Sequence, residues 1–214
     1  MLLAKLKPDQ VQWIKASAFA LCLIPLARLV WLGTHRGLGA NPIEYITRST
    51  GFWTLTFLLI TLTVTPLRRL TGWNWLLRMR RMLGLFAFFY VCLHFTTYIW
   101  LDQFFDVPGM LKDIAKRPFI TVGFSAFLLL IPLAATSTNA MVKRLGSRRW
   151  QLLHRLVYVI ATLGVLHFWW LVKKDITEPL IFGAVLGVLL LARLVYAARK
   201  ATPSAPPGAR SQTA

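Results

Sequence analysis

Of the four histidines in this chain, three lie in long apolar runs: His94 in YVCLHFTTY, His154 in RRWQLLHRLVY and His167 in GVLHFWW. An ionisable side chain at membrane depth is costly and tends to face a bundle interior with a partner. One such histidine reads first as a polar contact between helices. Three of them on two helices point to metal ligation. Neutral imidazole is a common axial ligand of haem iron, and in a bundle core facing helices can each supply one ligand. The fourth histidine, His35, stands near Gly37 and Gly39 and reads as a solvated loop residue. Cys22 and Cys92 fall within apolar runs and carry neither thiolate-metal spacing nor a CxxC motif, so they read as buried thiols without a disulfide.

Depth along a helix decides which histidines can share an iron. At about 1.5 Å per residue, His94 lies about 20 Å beyond Arg81, His167 about 27 Å beyond Arg149, and His154 only about 7 Å beyond Arg149. On this scale His94 and His167 are the closer match, both in the far half of the membrane. His154 sits about 20 Å below His167 on the same helix, a separation that suits two stacked cofactors better than one. Opposite His154, however, the third helix carries Arg80, Arg81 and Met82, and of these methionine alone is an ordinary ligand type. One bis-histidine site is thus complete and a second is incomplete, with His154 holding it, tuning it or substituting as a ligand. The spacing of 13 residues leaves His154 and His167 about 140° apart around an ideal helix, so tilt or a helix distortion must reconcile them.

The elements that position these residues are legible from apolar length. Six segments qualify as spans: roughly 11–33, 51–67, 82–101, 118–135, 150–172 and 179–198. Continuous rather than alternating apolarity excludes a barrel and leaves helices. The expected fold is an all-α integral membrane protein, a six-transmembrane-helix bundle over residues 1–200, with a Pro-, Ser- and Ala-rich disordered tail at 201–214. Pro25 and Pro132 fall inside spans and predict local kinks. The first span is too long for a signal-peptide core and lacks a small-x-small cleavage site, so it reads as retained.

Composition agrees. The 214 residues are 57% hydrophobic and only 15% charged, with a net charge of +18. So basic a chain would suggest nucleic acid as a partner, but the long apolar runs point to the lipid bilayer instead. About twice as many Lys and Arg fall on the side that holds the N-terminus as on the far side. That bias predicts a cytoplasmic N-terminus and C-terminus. Six of the seven acids fall on the far side, Asp9 being the exception. No room remains for a fused nucleotide-binding or flavin domain, which would need about 100 residues.

Other features read more plainly. Phe86, Phe88, Phe89, Tyr90, Phe95 and the run Phe168-Trp169-Trp170 read first as lipid-facing or interfacial anchors. Gly84 and Gly164 read as sites of close helix packing. Thr54, Thr56, Thr61, Thr63 and Thr65 can hydrogen-bond within their own helix. Arg155 can pair a haem propionate or snorkel to the interface. The Arg68–Arg81 loop is open to a flavin or lipid phosphate.

Three stretches together carry a family resemblance: TPLRRLTG at Thr65–Gly72, RRMLGL with YVCLHF at Arg80–Phe95, and RRWQLLHRLVY with LHFWW at Arg148–Trp170. Over about Gln12 to Arg199 the chain resembles the ferric-reductase-like transmembrane family, in particular its haem-binding membrane subunits of periplasmic methionine sulfoxide reductase systems. The resemblance implies haem b (one group, or two) in a multi-pass protein of the bacterial inner membrane, with His94, His154 and His167 as the candidate axial ligands. It implies electrons taken from quinone, or from a cytoplasmic flavin reductase, and delivered to a periplasmic molybdopterin subunit, MsrP. Sulfoxide reduction itself would then occur on that partner. FMN is implied by the resemblance only, and no residue here matches an FMN motif. Relatives with two bis-histidine haems carry two histidines on the third span, where this chain has Arg80 and His94. Two other classes remain open: a cofactor-free transporter or proton relay, and a membrane scaffold. The near absence of acids within the spans weighs against a relay, and a colourless purified protein would favour either over a haem protein.

Overall fold

The computed structural model describes residues 6–172 and 174–201. Among these residues the structure is entirely helical. The helices are α1 (Pro8–Thr34), α2 (Pro42–Thr71), α3 (Leu77–Thr97), α4 (Val107–Lys116), α5 (Pro118–Ala135), α6 (Asn139–Leu145), α7 (Ser147–His154), α8 (Leu156–Leu171) and α9 (Thr177–Ala201). A 3-10 turn at Asn74–Leu76 leads into α3, and a π turn at Tyr98–Asp102 follows it. Six helical stretches are long and apolar enough to cross a membrane: α1, α2, Asn74–Asp102, α5, Ser147–Leu171 and α9. The expected tail at 201–214 lies, apart from Ala201, outside the described residues.

The spans agree with those read from apolar length, and the differences have local causes. α2 begins nine residues before the apolar run, because Asn41 caps it: its side-chain oxygen accepts from the Glu44 N–H at 3.3 Å, and Pro42 fills the first turn. It ends at Gly72, whose φ of 74° allows the left-handed turn in which its N–H reaches the Arg68 carbonyl at 2.8 Å. The connection between the third and fourth spans carries a further helix, α4. Asp106 caps it by accepting from the Gly109 N–H at 3.2 Å. At the start of α9, Asp175 accepts from the Thr177 N–H at 2.9 Å, and hydrogen bonds from the Thr177 side chain and backbone hold its carboxyl below the usual range.

α2 is the central helix. Half of its most apolar stretch is buried by protein, against 28% for the third span and less for the others. It packs along α3 and also meets α8 and α9, while α5 lies against α8. The outward surface is apolar, with exposed side chains such as Ile24, Trp31, Leu128, Leu180 and Leu194. Such a surface suits a lipid environment.

Three prolines sit inside spans, and Pro66 joins the expected Pro25 and Pro132. Proline lacks an N–H, so the carbonyl four residues earlier loses its helical donor. For Pro66 that carbonyl belongs to Leu62, and the Arg193 guanidinium of α9 donates to it. A second donor of Arg193 reaches the Tyr158 hydroxyl at 3.2 Å. Next to Pro25, the Tyr90 hydroxyl of α3 accepts from the Leu26 N–H at 3.1 Å and donates to the Cys22 carbonyl at 2.8 Å. It thus stands between two groups that an unbroken helix would pair directly.

Tyr90 and Phe86 therefore correct the anchor reading of their cluster. Tyr90 is fully buried and Phe86 nearly so, and the Tyr90 hydroxyl finds its polar partners on α1. Phe89, Trp169 and Trp170 are exposed. Thr54, Thr56, Thr61 and Thr63 each donate to the carbonyl four residues back, whereas Thr65 Oγ1 is buried without a partner.

Candidate functional site: a paired-imidazole centre

His94 lies one turn before the end of α3, and His167 one turn before the end of α8. Their ring centroids are 6.1 Å apart with the planes nearly perpendicular, at 79°. Each ring is held by a backbone carbonyl from a third and a fourth helix. His94 Nδ1 donates to the Thr47 carbonyl of α2 at 2.9 Å. His167 Nδ1 donates to the Phe119 carbonyl of α5 at 2.7 Å. Since a carbonyl only accepts, both Nδ1 atoms carry the proton, and each neutral ring keeps its lone pair on Nε2.

Two glycines make room for this pair. A Cβ on Gly51 of α2 would come within 3.1 Å of the His94 ring, and one on Gly123 of α5 within 2.7 Å of His167 Nδ1. Any other residue at position 123 would push the imidazole off its carbonyl. Gly164 has a packing role, since its Cβ would meet Leu55 at 3.2 Å, while Gly84 has ordinary space.

Two neutral imidazoles this close, each with Nδ1 committed to a carbonyl and Nε2 free, are a donor set that could hold a metal ion. Among the described residues no three His, Cys, Asp or Glu side chains converge on a point.

His154 is not part of this pair. It ends α7, where its Nε2 lies 3.0 Å from Thr136 Oγ1 and its ring stacks on Trp150 at 3.9 Å. Trp150 in turn donates to the Thr136 carbonyl at 2.9 Å. Thr136 closes the C-terminus of α5, so this cluster sits at the opposite end of the bundle from Phe119. Arg80 and Arg81 lie near enough to interact electrostatically with the His154 ring. At the next residue α7 passes into α8: Arg155 keeps helical backbone angles, with its N–H shared between the Gln151 and Leu152 carbonyls, each at 3.1 Å. Arg155 itself is exposed. His35 is exposed at the end of α1, stacked on Trp31 at 3.8 Å. Cys22 and Cys92 are free thiols, one buried and one half-buried.

Sequence reasoning found both histidines but missed Thr47, Gly51, Phe119 and Gly123. No spacing pattern announces them, because each acts on a histidine of a different helix.

Comparison with known proteins adds an independent finding. Residues 47–165 match the family described as ferric reductase like transmembrane component. The matched stretch begins at Thr47 and includes His94 and His154. The chain is 64% identical over 195 residues to the protein-methionine-sulfoxide reductase heme-binding subunit MsrQ of Herminiimonas arsenicoxydans, covering 90% of this chain and 89% of that one. Its identity to the protein of the same description in Ralstonia nicotianae is 56% over 207 residues, covering 96% and 95%. For the one in Rhodospirillum rubrum it is 57% over 189 residues, covering 87% and 89%. No solved structure matches the chain.

Proposed function

The chain belongs to the MsrQ group of the ferric-reductase-like transmembrane family, and on that premise we propose that it is a b-type haem protein that carries electrons across the bacterial inner membrane to a periplasmic methionine sulfoxide reductase subunit, MsrP. The observation that carries this reading is the His94–His167 pair, two imidazoles 6.1 Å apart with both Nδ1 protons committed to backbone carbonyls.

His94 and His167 would hold the haem iron through Nε2. The haem, when bound, supplies one-electron chemistry. The protein holds and tunes it. The Thr47 and Phe119 carbonyls fix the tautomer and orientation of the two rings, and accepting their N–H protons raises ligand basicity. Gly51 and Gly123 let α2 and α5 approach closely enough to do so. The two rings are half-buried among apolar helices, and limited solvent access is a further control on potential.

The pair sits one turn from a single face of the bundle, where α3 and α8 end and α2 and α5 begin. With the N-terminus in the cytoplasm, as the basic bias favours, that face is periplasmic. Electrons then leave close to the connection between α3 and α5. His154 lies about 20 Å deeper, toward the cytoplasm. It serves a second site or tunes entry from quinone or a cytoplasmic flavin reductase. FMN has no residue assigned to it.

The test is an oxidised and dithionite-reduced absorption spectrum of the detergent-purified chain, with haem quantified per chain. A Soret band with b-type reduced bands is expected. A colourless protein from haem-replete cells would leave the family resemblance as fold alone.

A further inference from the structure

Between α1 and α3, at the end of the bundle where both helices begin, runs an open groove of about 700 Å³. Its α1 wall is the stripe Lys15, Phe19 and Leu23, and its α3 wall descends from Arg78 and Arg81 through Met82 and Leu85 to Phe86 and Phe89. Spacings of three and four residues put each set on one helix face. Successive spans alternate in direction, so Lys15, Arg78 and Arg81 meet at one end. Apolar wall then continues about 12 Å along α1, from Lys15 to Leu23, and about 12 Å along α3, from Arg81 to Phe89. Phe19 and Phe86 close the floor edge-to-face at 5.1 Å. Phe19 is 50% exposed and Phe89 37%, so protein leaves much of this wall uncovered.

The charges are as unbalanced as the wall is apolar. No carboxylate lines the groove. Among the described residues neither Lys15 nor Arg78 has a hydrogen-bond or ion-pair partner through its side chain. Arg81 commits one nitrogen to Asn139 Oδ1 at 2.7 Å. Three cations above an apolar trough match a molecule with an anionic head and a long apolar tail. A soluble anion would make no use of the trough, and a zwitterionic lipid would bring a cation of its own against Lys15. We propose that the groove binds an anionic diacyl phospholipid of the leaflet beside the basic face, with its phosphodiester among Lys15, Arg78 and Arg81 and one acyl chain along Phe19, Phe86 and Phe89. Basic pockets between membrane helices bind anionic headgroups in this way. The proposal does not depend on the haem assignment.

Native mass spectrometry of the full chain, titrated in detergent with phosphatidylglycerol or phosphatidylcholine, tests it. The wild type should retain phosphatidylglycerol preferentially. Arg78→Gln and Lys15→Gln should each weaken that retention about 5-fold, as expected for losing one cation near the headgroup. Arg144→Gln removes a charge from α6, outside the groove, and should change nothing. Melting temperature confirms that each variant is folded. Should Arg78→Gln fail to fold, Lys15→Gln on the exposed face of α1 carries the test. Equal retention of the two lipids, or an equal loss in Arg144→Gln, would overturn the proposal. So would displacement of the lipid by FMN or inorganic phosphate, which would make the cations a site for a soluble phosphate.

Discussion

An imidazole offers a metal only the nitrogen that its other hydrogen bond leaves free. In this protein the choice is made twice, at His94 by Thr47 and at His167 by Phe119. Pairing these two histidines was legible from depth along the helices, because a rise of about 1.5 Å per residue converts sequence position to height. Their carbonyl partners and glycine neighbours were not, since they come from other helices at unrelated positions. The glycines give the sharper test. A methyl at position 123 would stand 2.7 Å from His167 Nδ1, closer than side chains tolerate. Gly123→Ala should therefore displace the ring, lower haem retention and shift the midpoint potential of what remains. Gly51→Ala, at 3.1 Å from His94, should do the same more weakly. A redox titration with haem counted per chain separates the two variants, and wild-type values in Gly123→Ala would contradict the proposed role.

At the scale of helices, proline sets a problem in the sequence whose solution appears only in three dimensions. The positions of Pro25 and Pro66 are read directly from the chain. That Tyr90 would enter the ladder of α1, or that Arg193 would cap the Leu62 carbonyl, depends on how α1, α3, α2 and α9 come together. Losing such a bond in an apolar environment costs about 1–3 kcal/mol per unsatisfied group. Tyr90→Phe should lower the melting temperature accordingly and speed amide exchange in α1 around Leu26. Unchanged exchange there would mean that the hydroxyl does not pin α1. For Arg193, a double-mutant cycle isolates the effect. Arg193→Met should destabilise the wild type by about 1–3 kcal/mol. It should cost clearly less in a Pro66→Ala background, where the restored N–H serves Leu62. Additive losses in thermal unfolding would remove Pro66 from the explanation. The junction at Arg155, where α7 passes into α8, belongs to the same scale, and its position was not predictable from spacing.

The whole molecule is a bundle whose spans were readable because lipid demands length and apolarity above all else. What the apolar runs concealed was the polar extension of α2 before Gly51, which is set by the Asn41 cap, and α4 in the connection after the third span. Assembly around α2 brings four helix ends to one face and places the histidine pair just beneath it, with His154 held by Thr136 and Trp150 toward the other face. This separation turns three histidines into one pair and one outlier, which is the central claim. It is tested most directly by measuring haem per chain in His94→Ala, His167→Ala and His154→Ala purified beside the wild type. The account predicts that His94→Ala and His167→Ala each lose most of the haem of the paired site, while His154→Ala keeps it. Wild-type haem content in His94→Ala, or a loss in His154→Ala as complete as in the other two, would contradict it.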